Sequence, residues 1–122
     1  MGERPRILII EDDFENQQRI AEEVEDMGGS VVKCISSREE ALVYIESLSE
    51  LDIDLVTLDA NLARNRFDGQ DGRDILAAIR AKSPNTPVIG LSSEQTEGVN
   101  DYLKKSEYHK LPDTIKRLTN KS

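Results

Sequence analysis

The chain has no tryptophan, only three tyrosines and two phenylalanines, and a single cysteine and a single histidine among its 122 residues. With so few rings, a core must be built from Ile, Leu, Val and Ala. One cysteine, Cys34, excludes an internal disulfide, and one histidine, His109, with no cysteine partner nearby excludes a zinc site of the usual spacing. No apolar run approaches the ~18 residues of a membrane span, and the N-terminal MGERPR lacks the apolar stretch of a signal peptide. Basic runs are also missing. Acidic residues outnumber basic ones by 24 to 16, for a net charge of −8. Such a surface repels phosphate backbones and anionic lipid, so nucleic-acid and membrane binding are not expected. The expectation is one cytoplasmic domain spanning 1–122 with no output domain of its own.

What is present is an alternation of short apolar runs and helical patterns. Ile7-Leu8-Ile9-Ile10 is apolar on every side, as a strand buried on both faces must be, and stops at Glu11-Asp12-Asp13. Phe14, Ile20, Ala21, Val24 and Met27 follow at helical spacing, and Gly28-Gly29 ends that helix. Val31–Cys34 reads as a second strand. Ser37-Arg38-Glu39-Glu40 reads as a capping box opening a helix with Ala41, Leu42, Ile45 and Leu48. Leu55–Leu58 forms a third strand ending at Asp59. Residues 60–71 are polar, with Asp68-Gly69 and Asp71-Gly72 as turns. Ile75, Leu76 and Ile79 mark a helix stopped near Ser83-Pro84. Val88–Leu91 is a fourth strand and Tyr102-Leu103 lies in a short fifth. A last helix follows Leu111-Pro112 and carries Ile115 and Leu118. Strands alternating with helices predict an α/β fold with a doubly wound parallel sheet covered on both faces.

Ligands of such sheets bind beyond the carboxyl ends of the strands. Two strands end in acids: Glu11 and Asp12 close the first, Asp59 the third. If these strands are neighbours, three carboxylates converge, and their repulsion calls for a cation. Hard oxygen donors suit Mg²⁺. A carboxylate beside that ion can attack a phosphoryl group. Lys105, just past the fifth strand, and Ser92, at the end of the fourth, are placed to meet the same anion. The plainer readings are that Glu11-Asp12-Asp13 only cap the first helix and that Lys105, beside Lys104, is a solvated lysine. Cys34 reads as an inert thiol at the core edge, and His109 as a surface residue.

ILIIEDD, LVTLDANL, PVIGLSS and DYLKKS together resemble, in order, the four motif regions of response-regulator receiver domains of two-component signalling. The resemblance implies a flavodoxin-like sheet of five strands in the order 2-1-3-4-5. It implies Asp59 as phosphoacceptor, and Mg²⁺ held by Glu11, Asp12, Asp59 and the Asn61 backbone carbonyl. Ser92 and Lys105 would bind the phosphoryl group, and Ser92 and Tyr102 would switch upon it. The donor would be a histidine kinase or histidine phosphotransfer protein, and the output an unknown downstream protein. Catalysis would be limited to the chain's own phosphotransfer and dephosphorylation.

Three features depart from that pattern. Ser106 stands where receivers usually have proline after the lysine, so the Lys105–Ser106 bond is expected to be trans. The 60–71 loop is long, with Leu62-Ala63 in place of a Met/Leu-Pro pair and Arg64 and Arg66 in what reads as a solvated insertion. Only residues 92–100 join strands four and five, too few for the ~10–12 residues of a helical crossover. The helix there is expected to be shortened or absent, so that the signal is read elsewhere or the usual dimer does not form. Two rival readings remain: a pseudo-receiver acting as a phosphorylation-independent protein-binding module, and a phosphate hydrolase with Asp59 as nucleophile. A haloacid-dehalogenase-like hydrolase would want an acid at position 61, where Asn61 stands.

Overall fold

A computed structural model describes residues 4–59, 70–91 and 98–120. Five strands form one parallel sheet: β1 (Arg6–Ile10), β2 (Ser30–Ile35), β3 (Leu55–Leu58), β4 (Val88–Leu91) and β5 (Asp101–Leu103). Their order is β2-β1-β3-β4-β5, as expected. Four helices accompany them: α1 (Phe14–Asp26), α2 (Arg38–Ile45), α3 (Gln70–Lys82) and α4 (Leu111–Thr119). Two short 3₁₀ segments lie at Leu48–Glu50 and Lys105–Lys110.

Alternation along the central strands sends side chains into two separate apolar layers. Leu8, Ile10, Val56 and Leu58 pack against α2 and α3 through Ala41, Ile45, Ile75 and Ile79. Ile7, Ile9, Leu55 and Ile89 pack on the other side against Ile20 and Val24 of α1 and Ile115 of α4. All these residues are fully or almost fully buried, which is why Ile7–Ile10 reads as an unbroken apolar run and Leu55–Leu58 as one interrupted only by Thr57. The end of α1 needs its glycines. Gly28 adopts φ +87°, its amide donates to Glu25 O, and that of Gly29 donates to Val24 O, the paired bonds of a Schellman motif. A Cβ at Gly29 would lie 2.9 Å from Val24 Cγ1.

Several local expectations change. Asp71-Gly72 is not a turn but lies in the first turn of α3. One helical glycine costs only ~1 kcal/mol, and burial of Ile75, Leu76 and Ile79 outweighs it. Phe14 opens α1 but is 60% exposed, so the inward face of that helix begins at Ile20. Ser37 caps α2 by accepting from the Glu40 amide at 3.1 Å. The Glu40 carboxylate reaches back to the Ser36 amide rather than to that of Ser37, so only half of the capping box forms. Cys34 lies within β2, on the sheet edge, and is exposed rather than at the core edge; partial burial, then Glu25, raise its thiol pKa.

No cis peptide occurs among the described residues, so Lys105–Ser106 is trans. Among them, too, no helix lies between β4 and β5. Arg64, Arg66, Asp68-Gly69 and the 92–97 part of the link lie outside the described residues. The end of the link is anchored by an exposed side chain, Asn100. Asn100 Oδ1 accepts from the Val88 amide at 2.9 Å and from Arg80 Nη2 at 2.6 Å, while the Asn100 amide donates to Val88 O. Arg80 also donates to Thr86 O at 2.6 Å. One arginine therefore ties the end of α3, the turn into β4 and the entry to β5.

Replacing Asn100 with alanine leaves the Val88 amide unpaired at the start of a buried strand. Such a loss costs ~1–3 kcal/mol. Asn100→Ala should lower the urea-unfolding free energy by about 2 kcal/mol, whereas alanine at exposed Asp113, which makes no comparable bond, should change it by less than about 0.5 kcal/mol.

Candidate functional site

The site is assembled by strand register. β1 and β3 pair with Ile10 opposite Leu58, and the ladder runs one bond further, from the Asp59 amide to Ile10 O at 3.0 Å. On the other side the Glu11 amide donates to Ile35 O at 2.9 Å. Glu11 and Asp59 therefore stand side by side, both on the sheet face that carries Ile9 and Leu55. They are almost completely buried, Glu11 at 1% exposure and Asp59 at 4%. Asp12 is the next residue after Glu11 and is half-buried. Carboxylate oxygens of Glu11, Asp12 and Asp59 lie within 4.8 Å of one another.

α1 secures the acidic loop. Asp13 is its N-cap, accepting from the amides of Glu15 at 2.8 Å and Asn16 at 3.3 Å. The Gln17 side-chain amide donates to Glu11 O at 2.5 Å, and Glu11 Oε2 accepts from the Asp13 amide at 3.3 Å. Capping thus falls to Asp13, leaving Glu11 and Asp12 for the site. Glu11 Oε1 is buried with no hydrogen-bond partner among the described residues.

This environment opposes ionisation of Glu11. Burial first, then the charge of Asp59 and a hydrogen bond shared with it, push its pKa from the ordinary 4.5 up to about 9; the Asp13 amide and the charge of Lys105 act in the opposite sense. Lys105 opens the 3₁₀ segment after β5, with an exposed side chain whose charge is felt at Glu11. Tyr102 sits half-buried on edge strand β5 opposite Gly90, and a Cβ at Gly90 would lie 3.5 Å from its Cδ1. Ser92 and Asn61 lie outside the described residues.

Three oxygen-donor side chains, two of them buried, with an orphaned carboxylate oxygen among them, are the chemistry of a hard divalent cation. The residues present fit Mg²⁺: its charge would offset the repulsion, and its coordination would take up Glu11 Oε1 directly or through a bound water.

Sequence reading did not find Tyr108, which lies near enough to the acids for Glu11 and Asp59 to raise its pKa, after burial as the main cause. The spacing of Tyr108, Leu111 and Ile115 carried the signal that it is buried. It carried none that the ring would be near the acids.

A doubly wound parallel α/β domain binds its ligands beyond the carboxyl ends of the strands, and the acidic cluster lies there, at the ends of β1 and β3. Residues 7–116 match the family described as response regulator receiver domain, and the chain belongs to that family. Comparison with curated proteins gave no significant sequence match. Solved structures agree in fold. A response regulator receiver protein from Sinorhizobium medicae WSM419 superposes with a TM-score of 0.78 at 23% identity, over 97% of this chain and 96% of that one. The receiver domain of the sensor histidine kinase PA1611 from Pseudomonas aeruginosa PAO1 gives 0.77 at 23% identity, over 97% and 99%, and its active-site cleft holds a coordinated magnesium ion. The response regulator domain of CheB from Thermotoga maritima gives 0.76 at 20% identity, over 98% and 99%. Among the described residues, no helix is long and apolar enough to cross a membrane.

The raised pKa of Glu11 sets a sign for pH. The folded state holds this proton more tightly than the unfolded chain, so the associated stability is complete below the ordinary value and is lost as pH rises through the raised one. Metal-free protein should therefore melt lower as pH climbs from about 5 to 9, by about 4 °C for each ~1 kcal/mol. Excess Mg²⁺, or Glu11→Gln, should flatten that decline. A metal-free melting temperature that rises across the window contradicts the assignment.

Proposed function

We propose that this receiver domain takes a phosphoryl group onto Asp59 in a Mg²⁺-dependent reaction and signals to a protein partner by the change of packing that follows. The observation that carries the proposal is the convergence of Glu11, Asp12 and Asp59 within 4.8 Å at the carboxyl end of the sheet. Mg²⁺ at that cluster would neutralise negative charge that develops on the transferring group. Glu11 and Asp12 hold the ion's environment, with the Asn61 carbonyl as a further oxygen donor. An Asp59 oxygen attacks phosphorus, the bond from phosphorus to the donor's imidazole nitrogen breaks, and the freed nitrogen keeps the electron pair. Lys105 and Ser92 bind the phosphoryl oxygens.

The new dianion then favours one of two packings. Ser92 moves towards it and Tyr102, which packs beside Gly90, follows. A histidine kinase or histidine phosphotransfer protein is the donor, a further protein the reader. Exposed Phe14, two residues beyond Asp12, offers apolar surface to such a partner. The chain's catalysis is confined to gaining and losing its own phosphoryl group. The net charge of −8 supports a protein rather than a nucleic acid as reader.

A pseudo-receiver is disfavoured by the same acids, because an idle module has no use for two buried carboxylates in contact. The test is incubation with acetyl phosphate and Mg²⁺ followed by intact mass. One phosphoryl group should be gained by the wild type and none by Asp59→Asn or in excess EDTA. An unmodified wild type, or an equally modified Asp59→Asn, contradicts the proposal.

A further inference from the structure

Among the described residues, only three buried side-chain polar atoms lack a hydrogen-bond partner: Glu11 Oε1, Thr57 Oγ1 and Tyr108 Oη. Buried polar groups are nearly always paired, so each orphan asks for an unseen partner, most often water or an ion. These three share one face of the sheet. Strand alternation puts Thr57 with Leu55, and Glu11 with Ile9, and the apolar layer containing Leu55 and Ile9 also contains Tyr108. Glu11 Oε1 is an acceptor when ionised, Tyr108 Oη is a donor, and Thr57 Oγ1 can be either. A buried water needs two to four polar partners, and this face supplies both donors and acceptors that lack one.

The Tyr108 ring is fixed in place. It is 2% exposed, and the guanidinium of Arg19 on α1 stacks over it, 4.7 Å from the ring centroid. Arg19 Nη2 also donates to the Lys105 carbonyl at 3.4 Å. The same arginine therefore orients the phenol and touches the turn that carries Lys105. Tyr108 and Lys105 belong to one 3₁₀ segment, so a bond from the phenol to the acids would fix that segment relative to Asp59.

We propose that Tyr108 is a positioning residue of the phosphoacceptor site, its buried hydroxyl donating through one bound water, shared with Thr57, to the Glu11 carboxylate. The proposal rests on the Mg²⁺ reading of the acidic cluster and extends it. A donor held on Glu11 fixes the orientation of its carboxylate toward the cluster, as groups that support metal ligands do. The upward push on the Tyr108 pKa, from burial and then from Glu11 and Asp59, accords with a phenol that stays protonated and donates.

The test is Tyr108→Phe, which removes one oxygen and keeps the ring under Arg19. Loss of one water-mediated hydrogen bond leaves the buried ring in place, so the variant should fold, with a metal-free melting temperature lowered by at most about 5 °C. Calorimetric titration with Mg²⁺ alone should show roughly tenfold weaker binding, the size of effect found when groups supporting metal ligands are removed. Mg²⁺ should also perturb the near-ultraviolet tyrosine absorption of the wild type and of Tyr44→Phe and Tyr102→Phe, but not that of Tyr108→Phe. Wild type and Tyr108→Phe binding Mg²⁺ equally, with the same absorption change, overturns the role of Tyr108 and leaves the metal site standing. A wild type that binds no Mg²⁺ overturns both.

Discussion

The register between β1 and β3 is the constraint on which the structure turns. With Ile10 opposite Leu58, the next residues along are Glu11 and Asp59, and parallel pairing sends both carboxylates to one face. A slip of one residue would move one of them to the opposite layer, among Ile10 and Leu58, and carry the apolar side chains of that strand across with it. The apolar packing of two layers therefore enforces the placement of two like charges that would separate if the chain allowed it. The driving force is nonpolar burial, spread over many residues. Its consequence is a local electrostatic strain concentrated on Glu11.

The supporting structure is arranged around that strain. Asp13 takes the capping role at α1, and Gln17 grips the Glu11 carbonyl, so the acidic loop cannot turn its carboxylates outward without breaking helix contacts. On the far side of the sheet edge, Arg117 of α4 pairs with Asp101 of β5, and Arg19 of α1 reaches the turn between them. Lys105 is thus carried by a segment held from two helices, although no proline follows it. The short link between β4 and β5 is secured in a different way, by Arg80 and Asn100, which supply through side chains the bonds that backbone would otherwise make.

Much of this was legible in the sequence. Ile7–Ile10 showed its double burial by lacking polar residues, Leu55–Leu58 by having only Thr57, and the acids that end them marked the site. The strand order came from the resemblance, not from the pattern alone. Side-chain bonds over long sequence separations were not legible: nothing near Arg80 in the chain points to Asn100, and nothing near Tyr108 points to Arg19 or Glu11. Phe14 and Cys34 were misplaced because hydrophobicity at helical or strand spacing does not say where a helix face begins or which strand lies at the edge. Asp71-Gly72 was misread because turn chemistry at a helix start yields to the apolar spacing that follows it.

The central claim is that folding creates one cation site from the carboxylates of residues 11, 12 and 59. Substoichiometric Mn²⁺ added to isotope-labelled protein tests it most directly, because the paramagnetic ion broadens only amide signals close to where it binds. The account predicts loss of the signals of residues 11–13 and 59 first, reversed by excess Mg²⁺. Broadening centred elsewhere, for example at Asp52 and Asp54 at the opposite end of the sheet, with residues 11 and 59 untouched, would contradict it.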